Sequence, residues 1–123
     1  MAIRFYKCSD CGTVFTLMEG ASVPAGIHLK ELIPGTTDAA QEKHVPVVEV
    51  DGNVVRVKVG SVEHPMVDVH YIQWIVLEKE NGYEVKNLTP DTAPYAEFVL
   101  AEGEKPVAAY EYCNLHGLWK ADI

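Results

Sequence analysis

The chain has 123 residues, 48% of them hydrophobic and 23% charged, and a formal net charge of -8, which describes one ordinary domain with room for a small appendage and enough apolar residues for a real core. Only ten Lys and Arg are scattered along this acidic chain, which argues against a nucleic-acid surface, and no apolar stretch is long enough to cross a bilayer as a helix. The opening Met-Ala-Ile-Arg-Phe-Tyr-Lys-Cys has neither the apolar run nor the small-residue cleavage site of a signal peptide, so a cytoplasmic location is expected, with the three cysteines acting as thiols or metal ligands rather than as a disulfide framework.

In chain order, the first 36 or so residues carry Cys8 and Cys11 and are set off by Pro34-Gly35-Thr36-Thr37; residues 1–36 are therefore expected to form a small segment ahead of a domain over 37–123. Residues 45–50 and 54–59 are β-branched runs split by Asp51-Gly52-Asn53, the pattern of a hairpin. Residues 71–78, Tyr-Ile-Gln-Trp-Ile-Val-Leu-Glu, predict a strongly apolar strand, and Asn81-Gly82 marks the turn into the next. In this setting Asn87-Leu88-Thr89 is a chance glycosylation sequon. Residues 95–101 and 106–112 supply two further strands, punctuated by Pro90, Pro94, Gly103 and Pro106. No 11-residue window carries a helical period, so the pattern predicts an all-β chain and a β-sandwich.

Against this strand pattern, four of the five histidines and the last cysteine stand out as candidate metal ligands: His44, His64, His70, Cys113 and His116. Imidazoles suit iron, copper, nickel or zinc, and a thiolate adds a soft, electron-donating ligand. A closed structural zinc site takes four ligands, so five favour an octahedral-preferring transition metal with one position left for chemistry. Were residues 64–70 one extended strand, His64 and His70 would stand roughly 20 Å apart, whereas ligands of one metal have donors within about 4 Å. The chain must turn between them; Pro65 is the expected break, with 63–68 a loop and His70 entering the apolar strand. Cys113-Asn114-Leu115-His116-Gly117 reads as a tight turn after a strand, and His44 stands at the mouth of another. Singly, a loop histidine is usually a solvated polar group and a cysteine a small buried apolar one. The five together carry the reading.

Three blocks now carry a family resemblance. Glu42-Lys43-His44-Val45-Pro46, then Gly60-Ser61-Val62-Glu63-His64-Pro65-Met66 with His70 and Trp74 behind it, then Glu111-Tyr112-Cys113-Asn114-Leu115-His116-Gly117-Leu118-Trp119-Lys120, resemble the desulfoferrodoxin and neelaredoxin family of superoxide reductases from about Thr36 onward. The resemblance implies an immunoglobulin-like β-sandwich with one non-haem iron (Fe2+/Fe3+) held by equatorial His44, His64, His70 and His116 and an axial Cys113 thiolate. It places Glu42 and Lys43 as catalytic residues beside an open position that faces solvent. It implies reduction of superoxide to hydrogen peroxide, electrons from a rubredoxin-like carrier, and a homodimer or homotetramer. Because the net charge repels superoxide at long range, attraction must come from a local positive field, with Lys43 the best source and Lys58 and Lys120 weaker ones.

Phe5-Tyr6-Lys7-Cys8-Ser9-Asp10-Cys11-Gly12 resembles the first half of a desulforedoxin-like module, whose iron takes four thiolates. The adjacent cysteine pair of that module is missing, and Pro24-Ala25 stands before Gly26 in its place. Two thiols cannot complete a tetrahedral site, so the rubredoxin-type centre is expected to be absent, leaving Cys8 and Cys11 as a redox-active pair or as half of a metal site shared between two chains. His28 is either an added nitrogen donor or a plain surface residue. Two rival functions remain from the residues themselves. A blue-copper carrier also uses an upstream His and a late Cys-x-x-His, but it needs a weak axial Met after the last His, and none follows His116. A structural metal-binding module would leave one ligand idle and Glu42 and Lys43 without a role.

Overall fold

Val-Val-Arg-Val-Lys-Val over residues 54–59 buries Val55, Val57 and Val59 while Lys58 stays in solvent, a period of two that a strand with one covered face satisfies. The same rule builds nearly all of the chain. In the computed structural model, residues 3–18 and 20–123 are described, and the chain divides into two compact units, Met1–Ile33 and Pro34–Ile123.

The first unit is a small antiparallel sheet of β1 (Phe5–Cys8), β2 (Val14–Thr16) and β3 (Leu29–Leu32), in the order β2-β1-β3. Phe5 and Tyr6 are its buried aromatics.

The second unit is a two-sheet sandwich. It comprises the one-turn helix α1 (Gln41–His44) and strands β4 (Pro46–Asp51), β5 (Val54–Val59), β6 (Ile72–Lys79), β7 (Gly82–Asn87), β8 (Tyr95–Val99), β9 (Pro106–Cys113) and β10 (Gly117–Asp122). One sheet runs β10-β9-β6-β7 and the other β4-β5-β8, with every pairing antiparallel. Val55, Val57, Val59, Ala96 and Phe98 from the smaller sheet meet Ile72, Ile75, Leu77, Ala109 and Cys113 from the larger in one core. Burying that apolar surface is the main force that holds the sheets together.

Local chemistry explains the corners. The β4–β5 hairpin pairs Asp51 with Val54, and Gly52 takes the positive φ of 60° that suits the first central residue of a type II′ turn. β6 contains a bulge between Ile72 and Trp74, where the extra residue Gln73 reverses the side-chain alternation. Ile72 therefore points into the core together with Ile75 and Leu77, although their spacing breaks a strict period of two. Trp74, on the opposite face, stacks on Tyr112, with ring centroids 5.5 Å apart.

The all-β expectation agrees with this architecture. Three details differ from the sequence reading. β10 and the short helix α1 were not anticipated, and the reversal between His64 and His70 occurs later than Pro65. Val67 and His70 exchange both backbone hydrogen bonds, at 3.0 and 2.9 Å, so the tight turn is centred on Asp68-Val69.

Candidate metal centre

Each candidate ligand stands where a strand of the sandwich ends. α1 delivers His44 just before β4. The segment after β5 delivers His64, whose backbone N–H donates to the Val59 carbonyl at 3.0 Å. The Asp68-Val69 turn delivers His70 ahead of β6, and the β9–β10 hairpin delivers Cys113 and His116. This hairpin pairs Cys113 with Gly117 across a three-residue loop. Gly117 takes φ +78°, the left-handed conformation such loops require.

The five donor atoms lie within 4.8 Å of one another. The four imidazoles make a closed ring in the order His44, His64, His70, His116. Successive centroids are 4.7, 4.6, 5.1 and 4.9 Å apart, and successive planes stand 74° to 89° from each other. Cys113 is fully buried, and its sulfur lies 3.9 Å from Nδ1 of His116. For metal–nitrogen bonds of about 2.1 Å, neighbouring donors stand about 3.0 Å apart and opposite ones about 4.2 Å. The 3.2 Å between the Nε2 atoms of His44 and His64 and the 4.8 Å span of the whole set are of the size that donors of a single ion take.

The hydrogen bonds set the tautomers. Nδ1 of His44 donates to the Ala40 carbonyl at 2.7 Å, and Nδ1 of His64 donates to the Pro65 carbonyl at 2.6 Å. Because a carbonyl only accepts, each ring carries its proton on Nδ1 and turns the Nε2 lone pair inward. Those two Nε2 atoms face each other at 3.2 Å, with no hydrogen available to either in the neutral form. Burial also drives the His64 imidazolium pKa down to about 4 and lowers that of His44 and His70. Neutral rings are what a metal needs, and two lone pairs so close call for a shared cation. Nε2 of His70 is likewise buried without a partner among the described residues.

Burial raises the Cys113 thiol, while the backbone N–H groups of Leu115 and His116 oppose the rise. Those two N–H groups are placed to stabilise a thiolate once a cation compensates its charge.

Several supporting residues carried no role in the sequence reading. The Asn114 side chain holds both neighbours of His70: its Oδ1 accepts from the Tyr71 N–H at 3.0 Å and its Nδ2 donates to the Val69 carbonyl at 3.1 Å. Trp119 stacks on His44 at 5.1 Å and donates from Nε1 to the His116 carbonyl at 3.0 Å. Gly60 is packed so tightly that a Cβ there would stand 2.6 Å from the Glu42 carbonyl oxygen. Glu111 faces inward on β9 with neither carboxyl oxygen meeting a partner among the described residues. Burial alone raises its pKa to about 9, so it is neutral at physiological pH. Asn and Trp beside a Cys-x-x-His motif are a faint sequence signal; the Gly60 contact and the Ala40 and Pro65 carbonyls leave none.

Glu42 and Lys43 lie on α1 immediately before His44, and both side chains are exposed. The positive charge of Lys43 contributes to lowering the His44 and His70 pKa values, which places it electrostatically at the ring. Cys8, Cys11 and His28 belong to the first unit. There the His28 ring meets the Asp10 carboxylate at 3.0 Å in an exposed pair.

The family model for desulfoferrodoxin matches residues 36–122. The chain belongs to the desulfoferrodoxin family. It is 45% identical to a desulfoferrodoxin of Nitratidesulfovibrio vulgaris over 97% of this chain and 95% of that one, and 43% identical to a desulfoferrodoxin of Clostridium acetobutylicum over 98% and 97%. The crystal structure of the superoxide reductase from Treponema pallidum superposes with a TM-score of 0.83 at 42% identity, covering 99% of this chain and all of that one. In this desulfoferrodoxin-family chain the three sequence blocks that carried the resemblance are the segments that converge on the five donors.

Proposed function

We infer that the chain is a superoxide reductase whose catalytic unit uses one non-haem iron to convert superoxide to hydrogen peroxide. The observation that carries this reading is the closed ring of four imidazoles with a buried cysteine among the donors, a set that fits one octahedral transition metal and leaves a position over. His44, His64, His70 and His116 would hold the iron through imidazole nitrogens and Cys113 through its thiolate. When bound, iron would supply the one-electron redox chemistry that reduction of superoxide needs, with the electron coming from an external donor. The net reaction joins superoxide, one electron and two protons into hydrogen peroxide.

The chain's own residues supply attraction and protons. Lys43 draws the anion toward the ring and holds the water from which protons pass to the reduced oxygen, while the exposed Glu42 carboxylate would be the group that occupies the open position in the absence of substrate. The Ala40 and Pro65 carbonyls hold the Nδ1–H of His44 and His64 outward and leave their Nε2 atoms to the metal, and the negative charge of the donor set would be the thiolate's. The apolar rim of Val62, Val67, Val69 and Leu115, exposed on the loops that carry the ligands, supports docking of a small rubredoxin-like electron donor there. The first unit, with two of the four thiols that a rubredoxin-type centre requires, adds no second iron in this reading, so the donor reduces the catalytic unit directly. A cytoplasmic setting is consistent with three free thiols, and no helix among the described residues is long and apolar enough to cross a membrane. A homodimer or homotetramer, and no nucleic-acid partner, complete the proposal.

The test is metal content and the visible spectrum before and after a mild oxidant, beside a Cys113→Ser variant. About one iron per chain and a thiolate-to-ferric band absent from the variant are expected. Stoichiometric zinc, with no such band after iron reconstitution, would reassign the centre as structural. Consumption of one reducing equivalent per superoxide separates reduction from dismutation.

A further inference from the structure

Cys8 and Cys11 bracket the turn between β1 and β2. The Gly12 N–H donates to the Cys8 carbonyl at 2.9 Å and the Cys8 N–H to the Thr13 carbonyl at 2.8 Å, while Gly12 closes the turn with φ +75°. Inside it, the Cys11 N–H donates to the Cys8 sulfur at 3.3 Å, and the Cys11 sulfur lies 3.2 Å from the Thr13 hydroxyl. Cys8 is partly exposed, Cys11 is exposed, and both are free thiols. Turn residues three apart have Cα atoms within about 7 Å, a span that a disulfide bridges with little adjustment. Hydrogen bonding with the Thr13 hydroxyl, then with the Cys8 thiol, then with the Thr13 backbone holds the Cys11 thiol below its ordinary range; desolvation and the Asp10 charge oppose this, and Asp10 is itself engaged by His28. An accessible sulfur with thiolate character beside a second thiol is how peroxide-reactive cysteine pairs are built.

We propose that Cys8 and Cys11 form a peroxide-reactive dithiol, with Cys11 the attacking thiolate and Cys8 the resolving thiol. The Cys11 sulfur attacks one oxygen of hydrogen peroxide. A sulfur–oxygen bond forms as the oxygen–oxygen bond breaks, and hydroxide leaves. The Cys8 sulfur then attacks the Cys11 sulfenic acid, forming the sulfur–sulfur bond and expelling the second oxygen as water. Two thiols are oxidised, one peroxide is reduced, and two waters result. The source of peroxide rests on the activity inferred above, whose product it is; the dithiol chemistry itself does not.

Trypsin, cutting after Lys7 and Lys30, releases both cysteines in one peptide apart from Cys113. After hydrogen peroxide is added to the reduced full-length protein, that peptide is expected to lose about 2 Da and to regain it with dithiothreitol. Cys8→Ser should instead leave a Cys11 sulfenic acid that a dimedone probe captures, and Cys11→Ser should slow oxidation of the peptide by about tenfold or more. An unchanged peptide would overturn the proposal. So would a second equivalent of zinc or iron that Cys8→Ser removes. Superoxide with a non-thiol electron donor should give the same mass loss, and catalase should prevent it. Because superoxide also dismutes to peroxide unaided, the reductase reading is judged by the donor consumed per superoxide: mass loss with added peroxide but no donor consumption would leave the dithiol standing and overturn the superoxide reductase reading.

Discussion

At the scale of single residues, the metal centre depends on partners that are not ligands. Asn114 spans His70 with two side-chain hydrogen bonds and adjoins Cys113, so one amide ties the β6 ligand loop to the β9–β10 hairpin. Asn114→Ala removes both bonds and leaves the Val69 carbonyl and Tyr71 N–H to find other partners, a cost of about 1–3 kcal/mol. The expected outcome is a metal affinity weaker by about 10–100-fold, measured by chelator competition, with the fold retained by circular dichroism. Unchanged affinity would show that backbone pairing alone positions His70. The ligand types were legible in the sequence because few histidines are spent elsewhere. Their tautomers were not, since the Ala40 and Pro65 carbonyls that set them have no side-chain signature.

At the scale of elements, α1 and the end of β5 are joined by close backbone approach. The Glu42 carbonyl accepts from the Val62 N–H at 2.9 Å, and Gly60 leaves room for that contact only because it lacks a Cβ. Gly60→Ala must push α1 away, and overpacking of this kind costs typically about 1–3 kcal/mol. Because α1 ends on His44, the variant is expected to combine a lowered Tm with a shifted ferric absorption band. A lowered Tm with an unaltered band would mean that α1 moves without carrying His44 along. The bulge at Gln73 is the companion device on the other sheet. It turns Ile72 inward beside Cys113, an arrangement that a strict two-residue period in the sequence does not foretell.

For the whole molecule, the net charge of -8 and the anionic substrate are in opposition. At physiological ionic strength the Debye length is about 8 Å, so distant carboxylates are largely screened and a cation at the mouth dominates the local field. Lys43, exposed on α1 and among the charges that lower the His44 and His70 pKa values, is the cation proposed for that role. Lys43→Ala is expected to slow superoxide capture by about tenfold at low salt and to flatten its ionic-strength dependence, measured by pulse radiolysis across a salt series. An unchanged rate and slope would remove Lys43 from the mechanism. Of the weaker sources considered, Lys120 is engaged by Asp122 at 3.1 Å, which leaves it less charge to offer.

The sequence by itself determined the all-β class, the main strands of the second unit, the five donors and the family, because these rest on side-chain period, residue chemistry and blocks of local order. Tertiary structure alone decided how donors 72 positions apart, from His44 to His116, become neighbours. It also decided that the chain reverses at Asp68-Val69 instead of Pro65, since that turn is closed by a backbone pair that any residues can make. The one-turn helix α1 escaped sequence reading for a related reason: four residues are too few to show a helical period, and contact with Gly60 supports it from outside.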